Sequence, residues 1–299
     1  MAGTPNSSLR KGRWAPYLLL SPGMLWLILF FLVPMSTLLK IALSDKPDPW
    51  LPVYDFDWRW SNFSDSVSRF QPELLRSFGY AAIATIACIL IGYPLAYYLA
   101  FRAGKRRNLL LGLIMIPFFT SFLIRTIAWK TILGKEGPVL WVIDTFHLSG
   151  VTDLLHITSN GAFLNTPQAV IGGLAYNFLP FMVLPIYVAL EKIDIRLVDA
   201  ATDLYDTPAR AFRKIILPLS MPGVFAGTLL TFIPAAGDFI NAEFLGNVNT
   251  GMIGSQVSKL FLKESNYPEA AALSFIFMAI ITVAVLVYAK ALGTEELSA

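Results

Sequence analysis

Hydrophobic positions in this chain gather into long unbroken runs instead of alternating or recurring at one helical face. A helix needs roughly 20 apolar residues to cross the hydrocarbon core of a bilayer. Six stretches reach about that length: residues 17–43, 78–101, 109–133, 167–190, 221–244 and 270–292. The pattern predicts an all-α polytopic membrane protein with six transmembrane helices. Arg10, Lys11 and Arg13 precede the first run, as in a signal peptide, but the run exceeds a signal core and no small-residue cleavage site follows it. It reads as an uncleaved anchor behind a tail at 1–16, with a second tail at 293–299. Pro94, Pro117, Pro180, Pro185 and Pro234 fall inside the runs. Neighbouring helices or water satisfy the backbone groups that such prolines free.

Charge sets the orientation. With the N-terminus inside, the inner segments hold thirteen Lys and Arg, namely three in the first tail, Arg102, Lys105, Arg106, Arg107, Lys192, Arg196, Arg210, Arg213, Lys214 and Lys290. The outer segments hold seven: Lys46, Arg59, Arg69, Arg76, Lys135, Lys259 and Lys263. An excess of Lys and Arg marks cytoplasmic loops, so both termini are placed in the cytoplasm. The outer segment 44–77 is acidic and carries Trp50, Trp58 and Trp60, which suit headgroup anchoring better than ligand binding. The outer segment 134–166 is expected to hold a short helix near Val139–Phe146.

Composition agrees with the runs. Hydrophobic residues make up 56% and charged residues 14%, against roughly 25% charged in soluble domains. Net charge is only +3, so bulk charge says little about partners. Cys88 is the one cysteine, which excludes an intrachain disulfide, and His147 and His156 are too few for a metal cluster.

The inner segment 191–220 is the most patterned part outside the runs. Leu197, Ala200, Ala201 and Leu204 recur at i, i+3, i+4 and i+7, one apolar face of a short helix. Asp206 or Thr207 can cap a second helix with Pro208 at its first position, where the missing N–H costs nothing. Ala211, Phe212, Ile215 and Ile216 form its apolar face, and Pro218 is expected to end it before the fifth span. A rigid pair of helices with a small-residue face could dock a partner. It could equally be an interfacial amphipathic helix or a plain connection.

The run Asp199-Ala200-Ala201, followed by Ile215 and Leu217-Pro218, resembles the EAA loop of bacterial ATP-binding-cassette (ABC) importer permeases. The resemblance implies a coupling helix that docks on a cytoplasmic ATPase subunit, formed here by Asp199, Ala200, Ala201, Leu204, Tyr205, Ile215, Leu217 and Pro218. Tyr205 stands where that family has a glycine, so either the turn after the first helix differs or the Tyr205 ring fills part of the ATPase groove. A left-handed tyrosine there would cost roughly 1–2 kcal/mol. A second resemblance narrows the group. Residues 117–129, PFFTSFLIRTIAW, and Gly237-Asp238-Phe239 with Phe244-Leu245-Gly246 are similar to signatures of spermidine/putrescine permeases of the PotB type. Permeases for ferric iron, thiosulfate or sulfate, and sugars share parts of these signatures.

Charges inside spans are costly and therefore functional candidates. Arg125 lies within the third run and Asp238 toward the outer end of the fifth, followed by Glu243. For a polyamine cargo, Asp238 and Glu243 would receive ammonium groups. Trp129, Tyr176, Tyr97, Tyr93 and Phe178 could add cation–π contacts. Against this, Arg125 and Asp238 could pair with each other or cap broken helix ends, and the aromatics could simply pack. No G-x-x-x-x-G-K-[ST], H-E-x-x-H or G-x-S-x-G pattern occurs. An embedded enzyme or an ion-driven carrier with inverted repeats has no support in the pattern. The resemblance implies a non-enzymatic permease subunit of the bacterial cytoplasmic membrane. Its partners would be a second homologous permease, two cytoplasmic ATPases, an extracytoplasmic substrate-binding protein and the lipid bilayer, with no nucleic acid. No cofactor is expected in this chain, ATP and Mg being held on the ATPases.

Overall fold

Backbone polar groups in hydrocarbon find no water, so an apolar run must satisfy them internally, and it does so as a helix. The computed structural model describes residues 15–47, 53–146, 162–194, 196 and 207–292. Among the described residues, five helices are long and apolar enough to cross a membrane: Tyr17–Ala42, Ser61–Phe101, Pro167–Glu191, Ala209–Ala236 and Tyr267–Ala291. A sixth crossing results if Gly104–Phe119 and Phe122–Ile132 are joined, although they bend by 92°.

In chain order, α1 (Ala15–Leu27) continues through a π turn, Ile28–Leu32, into α2 (Val33–Ala42). A two-stranded antiparallel bridge pairs β1 (Ser44–Asp45) with β2 (Asp55–Phe56). Then come α3 (Ser61–Phe101), α4 (Arg107–Met115), a 3-10 turn at Ile116–Phe119, α5 (Phe122–Ile132) and α6 (Pro138–Thr145). After these follow α7 (Pro167–Glu191), α8 (Pro208–Ala211) and a π turn at Phe212–Ile216 that leads into α9 (Leu217–Ala236). The last are α10 (Ile240–Leu245), α11 (Ile253–Leu262) and α12 (Tyr267–Leu292).

Four features depart from the hydropathy pattern. α3 begins at Ser61 instead of near 78, taking in much of the expected outer segment. Its polar first turns are held by tertiary contacts that hydropathy does not see. Phe70 and Leu74 are buried against Ile253, Leu260 and Leu273, and Arg69 reaches Glu269 at 3.0 Å. The helix is kinked at Phe70, two residues before Pro72. The third run is broken at Thr120–Ser121, which adopt extended backbone. The fifth ends at Ala236, with Gly237–Phe239 separating it from α10.

The fourth departure is Pro218, which does not end a helix. The helical path runs from Pro208 to Ala236, widened to a π turn over Phe212–Ile216. A proline inside an α-helix clashes with the carbonyl four residues back and leaves it unbonded. A π turn lengthens the local ring and relieves both problems. The first span repeats the device, since its π turn at Ile28–Leu32 ends two residues before Pro34.

The core is built on α3, α7 and α9, which pack on one another. One buried cluster joins Ala81, Ala84, Leu174, Phe178, Ala235, Ala236 and Leu245. A second, nearer the end assigned to the cytoplasm, joins Tyr93, Leu99, Met182, Ile186, Leu190 and Ile216. Without water to drive association, membrane helices rely on close packing at small residues. A Cβ added at Gly223 would lie 2.5 Å from Ala189 Cβ and 2.6 Å from the Pro185 carbonyl oxygen. The first span contrasts with this core. None of its most apolar stretch is buried within the chain, and only α2 leans on α12.

Candidate functional site

The two interrupted spans meet. α10 lies against α5 and α7, and the approach to α7 depends on Gly173. A Cβ there would sit 2.5 Å from Leu245 Cδ1 and 2.7 Å from Asn241 Oδ1. The contact brings a polar knot into an otherwise apolar bundle. Asn177 Nδ2 donates to Asn241 Oδ1 at 3.2 Å, and Thr126 Oγ1 donates to the same oxygen at 3.4 Å. Asn177 Oδ1 and Asn241 Nδ2 remain buried without hydrogen-bond partners. Each such group costs about 1–3 kcal/mol, so the knot is held by the packing around it.

Asp238 is 8% exposed and its Oδ1 accepts the Asn241 backbone N–H at 2.7 Å. It caps the first turn of α10, the role that a carboxylate plays at a helix start. Arg125 is also 8% exposed. Among the described residues no carboxylate lies within ion-pair distance of it, so it does not pair with Asp238. Its guanidinium lies 5.8 Å from the ring centre of Phe118 and 5.6 Å from that of Phe122. Each cation–π contact contributes about 0.5–2 kcal/mol. Its Nε has no partner.

The remaining sequence-selected residues fall in different places. Glu243 is exposed and pairs with Lys263 at 2.9 Å. Trp129 packs edge-on against Tyr176 at 5.3 Å, beside a cavity of about 100 Å³ also lined by Phe163, Gly172 and Gly173. Phe178 is buried between Phe122 and Phe181. Tyr97 is not with this group. It packs on Phe101 and, with Tyr93, presents its edge to Phe212 at 5.9 and 5.7 Å. The Tyr93 and Ser220 hydroxyls are 2.7 Å apart. Phe212 opens the π turn, so these rings fasten that turn to α3.

For the loop, Asp199, Ala200, Ala201, Leu204 and Tyr205 lie outside the described residues. Ile215 is half-buried, Leu217 and Pro218 open α9, and the inward positions are Ala211, Ile216 and Ser220. Thr207 accepts backbone bonds from Arg210 and Ala211 at the start of α8. Beside the loop, Arg107 at the head of α4 pairs with Glu191 at the foot of α7 at 2.6 Å.

Attention to charged residues alone misses Thr126, Asn177 and Asn241. The signal for Asn177 is in the sequence, since it is the one amide well inside the fourth apolar run. Thr126 and Asn241 carry no such mark.

Comparison with known proteins places this architecture. Residues 89–293 match the family described as binding-protein-dependent transport system inner membrane component. The chain is 37% identical to a spermidine/putrescine transport system permease protein PotB of Haemophilus influenzae, over 89% of this chain and 90% of that one. It is 35% identical to the corresponding Escherichia coli protein, over 89% and 94%. Among solved structures, a bacterial ABC transporter involved in import of the polysaccharide alginate matches with a TM-score of 0.68 and 18% identity, covering 93% and 94% of the two chains. The MetNI methionine ABC transporter matches with a TM-score of 0.54 and 18% identity, covering 74% and 93%. The fold is that of ABC importer permeases, a multi-pass inner-membrane architecture. The chain belongs to the family of binding-protein-dependent transport system inner membrane components.

Proposed function

We propose that this chain is a polyamine-translocating permease subunit of an ABC importer. The observation that carries the reading is the 35–37% identity, over about nine-tenths of both chains, to permeases named for spermidine and putrescine. The thirteen-to-seven bias of basic residues supports cytoplasmic termini and a cytoplasmic loop at 191–220. In this reading Asp199–Tyr205 rides on a separate ATPase that holds ATP and Mg. A second permease completes the path, and an extracytoplasmic binding protein delivers cargo. Closure of the ATPases around ATP moves the loop, and the motion passes through Phe212 and its tyrosine clamp into α9. Hydrolysis resets the inward state.

Asp238, already engaged as a helix cap, shapes the path through α10, and its carboxylate supplies the negative charge that an ammonium group would meet there. Trp129 and Tyr176, packed on each other between α5 and α7, supply aromatic rings for cation–π contact. The test is uptake of labelled spermidine and putrescine by proteoliposomes holding the full transporter and its binding protein, with ATP inside. Competition by unlabelled polyamine and none by sugars or oxyanions is expected. Uptake of a sugar, an oxyanion or iron in place of polyamine overturns the assignment.

A further inference from the structure

The break in the third span presents a charged group with no counter-charge among the described residues. Arg125 is the fourth residue of α5, and Cα–Cβ bonds on a helix tilt toward its N-terminus. The guanidinium therefore lies back over the first turn, between Phe118 ahead of the break and Phe122 just after it. The same turn has open backbone donors. The first bond of α5 runs from Arg125 N–H to the Ser121 carbonyl, and the Ser121 side chain caps nothing. The amides of Phe122, Leu123 and Ile124 thus lack helical partners, as the first amides of a helix do. A buried cation with a free Nε and a positive helix end converge on one spot.

This spot is not built to face lipid. Irregular backbone at membrane depth is tolerated where protein buries it or it lines a water-filled path, not where it faces lipid. Thr120 and Ser121 are exposed in the isolated chain, and the surrounding apolar skirt is too: Phe119 is 86% exposed and Ile124 65%. Lipid phosphate is the rival occupant: Gly104–Phe119 spans sixteen residues, a rise of about 24 Å if upright, which leaves about 6 Å of a ~30 Å hydrocarbon core between the break and the outer headgroups, so added phospholipid has to distinguish the two sources. A polyamine cargo is itself cationic and cannot neutralise an arginine.

We propose that Arg125 and the first turn of α5 form an anion-receiving site filled by a carboxylate of a second permease subunit. The inference rests on the reading above that such a subunit sits beside this chain. The ion pair ties the two halves together beside the path, with Phe119 and Ile124 as the apolar rim of the contact.

The two readings are separable by experiment. The chain is coexpressed with the second permease and the ATPase, and wild-type co-purification is measured first; its absence refutes the permease pairing itself. Arg125→Met is then compared in two samples in a phosphate-free maltoside detergent. In the chain purified alone, removing an unpaired buried charge is expected to raise the melting temperature. In the assembled transporter the same change is expected to lower it and to reduce uptake by about tenfold or more, the scale of losing one buried pair. Shifts in the same direction in both samples, or none in either, overturn the proposal. Phospholipid is then added to the isolated chain. If Arg125→Met becomes destabilising there, lipid phosphate fills the site and the proposal is overturned. Arg125→Asp closes the set. Its uptake is expected to return when one intramembrane carboxylate of the second subunit is changed to Lys, and failure at every such position counts against the pair.

Discussion

Gly223→Ala should separate the two central helices. The added Cβ would stand 2.5 Å from Ala189 Cβ, 2.6 Å from the Pro185 carbonyl oxygen and 3.0 Å from Ile186 Cα. Carbon atoms rest at about 3.5–4.0 Å from one another, so α9 must move about 1 Å from α7, and two of the three obstacles are backbone that cannot rotate aside. Overpacking of this kind costs about 1–3 kcal/mol. Gly112→Ala is the matched control, because nothing lies within 4 Å of its added Cβ. Inside a helix that change stabilises by about 0.5–1 kcal/mol. The two glycines are therefore expected to respond with opposite sign. Unfolding of each purified variant in mixed maltoside and dodecyl sulfate micelles, followed by far-UV circular dichroism, gives the comparison. A Gly223→Ala protein as stable as wild type, or shifted like Gly112→Ala, would show that α7 and α9 do not meet through this glycine.

Other substitutions probe the loop and the cap. Phe212→Ala removes the ring held between Tyr93 and Tyr97, at a cost of about 3–5 kcal/mol if fully buried and less here. ATP hydrolysis should then proceed without matching uptake, and preserved coupling in proteoliposomes would refute the clamp. Ala201→Arg should lower ATPase co-purification while leaving membrane insertion intact; normal co-purification would remove the docking role. Asp238→Ala should lose the α10 cap, about 0.5–2 kcal/mol, whereas Asp238→Asn should keep most of that stability and lower polyamine uptake. Wild-type uptake by Asp238→Asn would leave the residue with a structural role alone.

The fourth apolar run was legible because hydrocarbon imposes a length and a composition: the helix found at residues 167–190 is Pro167–Glu191. What the pattern could not carry was every feature set by contact with another segment. The outer turns of α3 are polar by composition and become helical against α11 and α12. The break at Thr120–Ser121 shows only as two adjacent hydroxyl residues in a run that is otherwise apolar around them, and Pro117 alone does not announce it, since Pro180 and Pro185 lie inside an unbroken α7. In the site, Arg125 and Asp238 were legible as costly charges. Their separation was not, because Asp238 meets a backbone amide three residues ahead and not the arginine. Asn241 became visible only once α10 was laid on Gly173.

The π turn at Phe212–Ile216 stores one spare residue between the surface segment and the fifth span. If the turn tightens to ordinary α-helix, the excess must pass along the rod, and each residue passed is a rotation of about 100° and an advance of about 1.5 Å. Gly223 and Gly227 would then turn away from α7, and Ser220 away from Tyr93 of α3. A small pull at one end of such a joint is geared into a large swing of the far end, so this wide turn is a screw thread, with Pro218 fixing where the thread is cut.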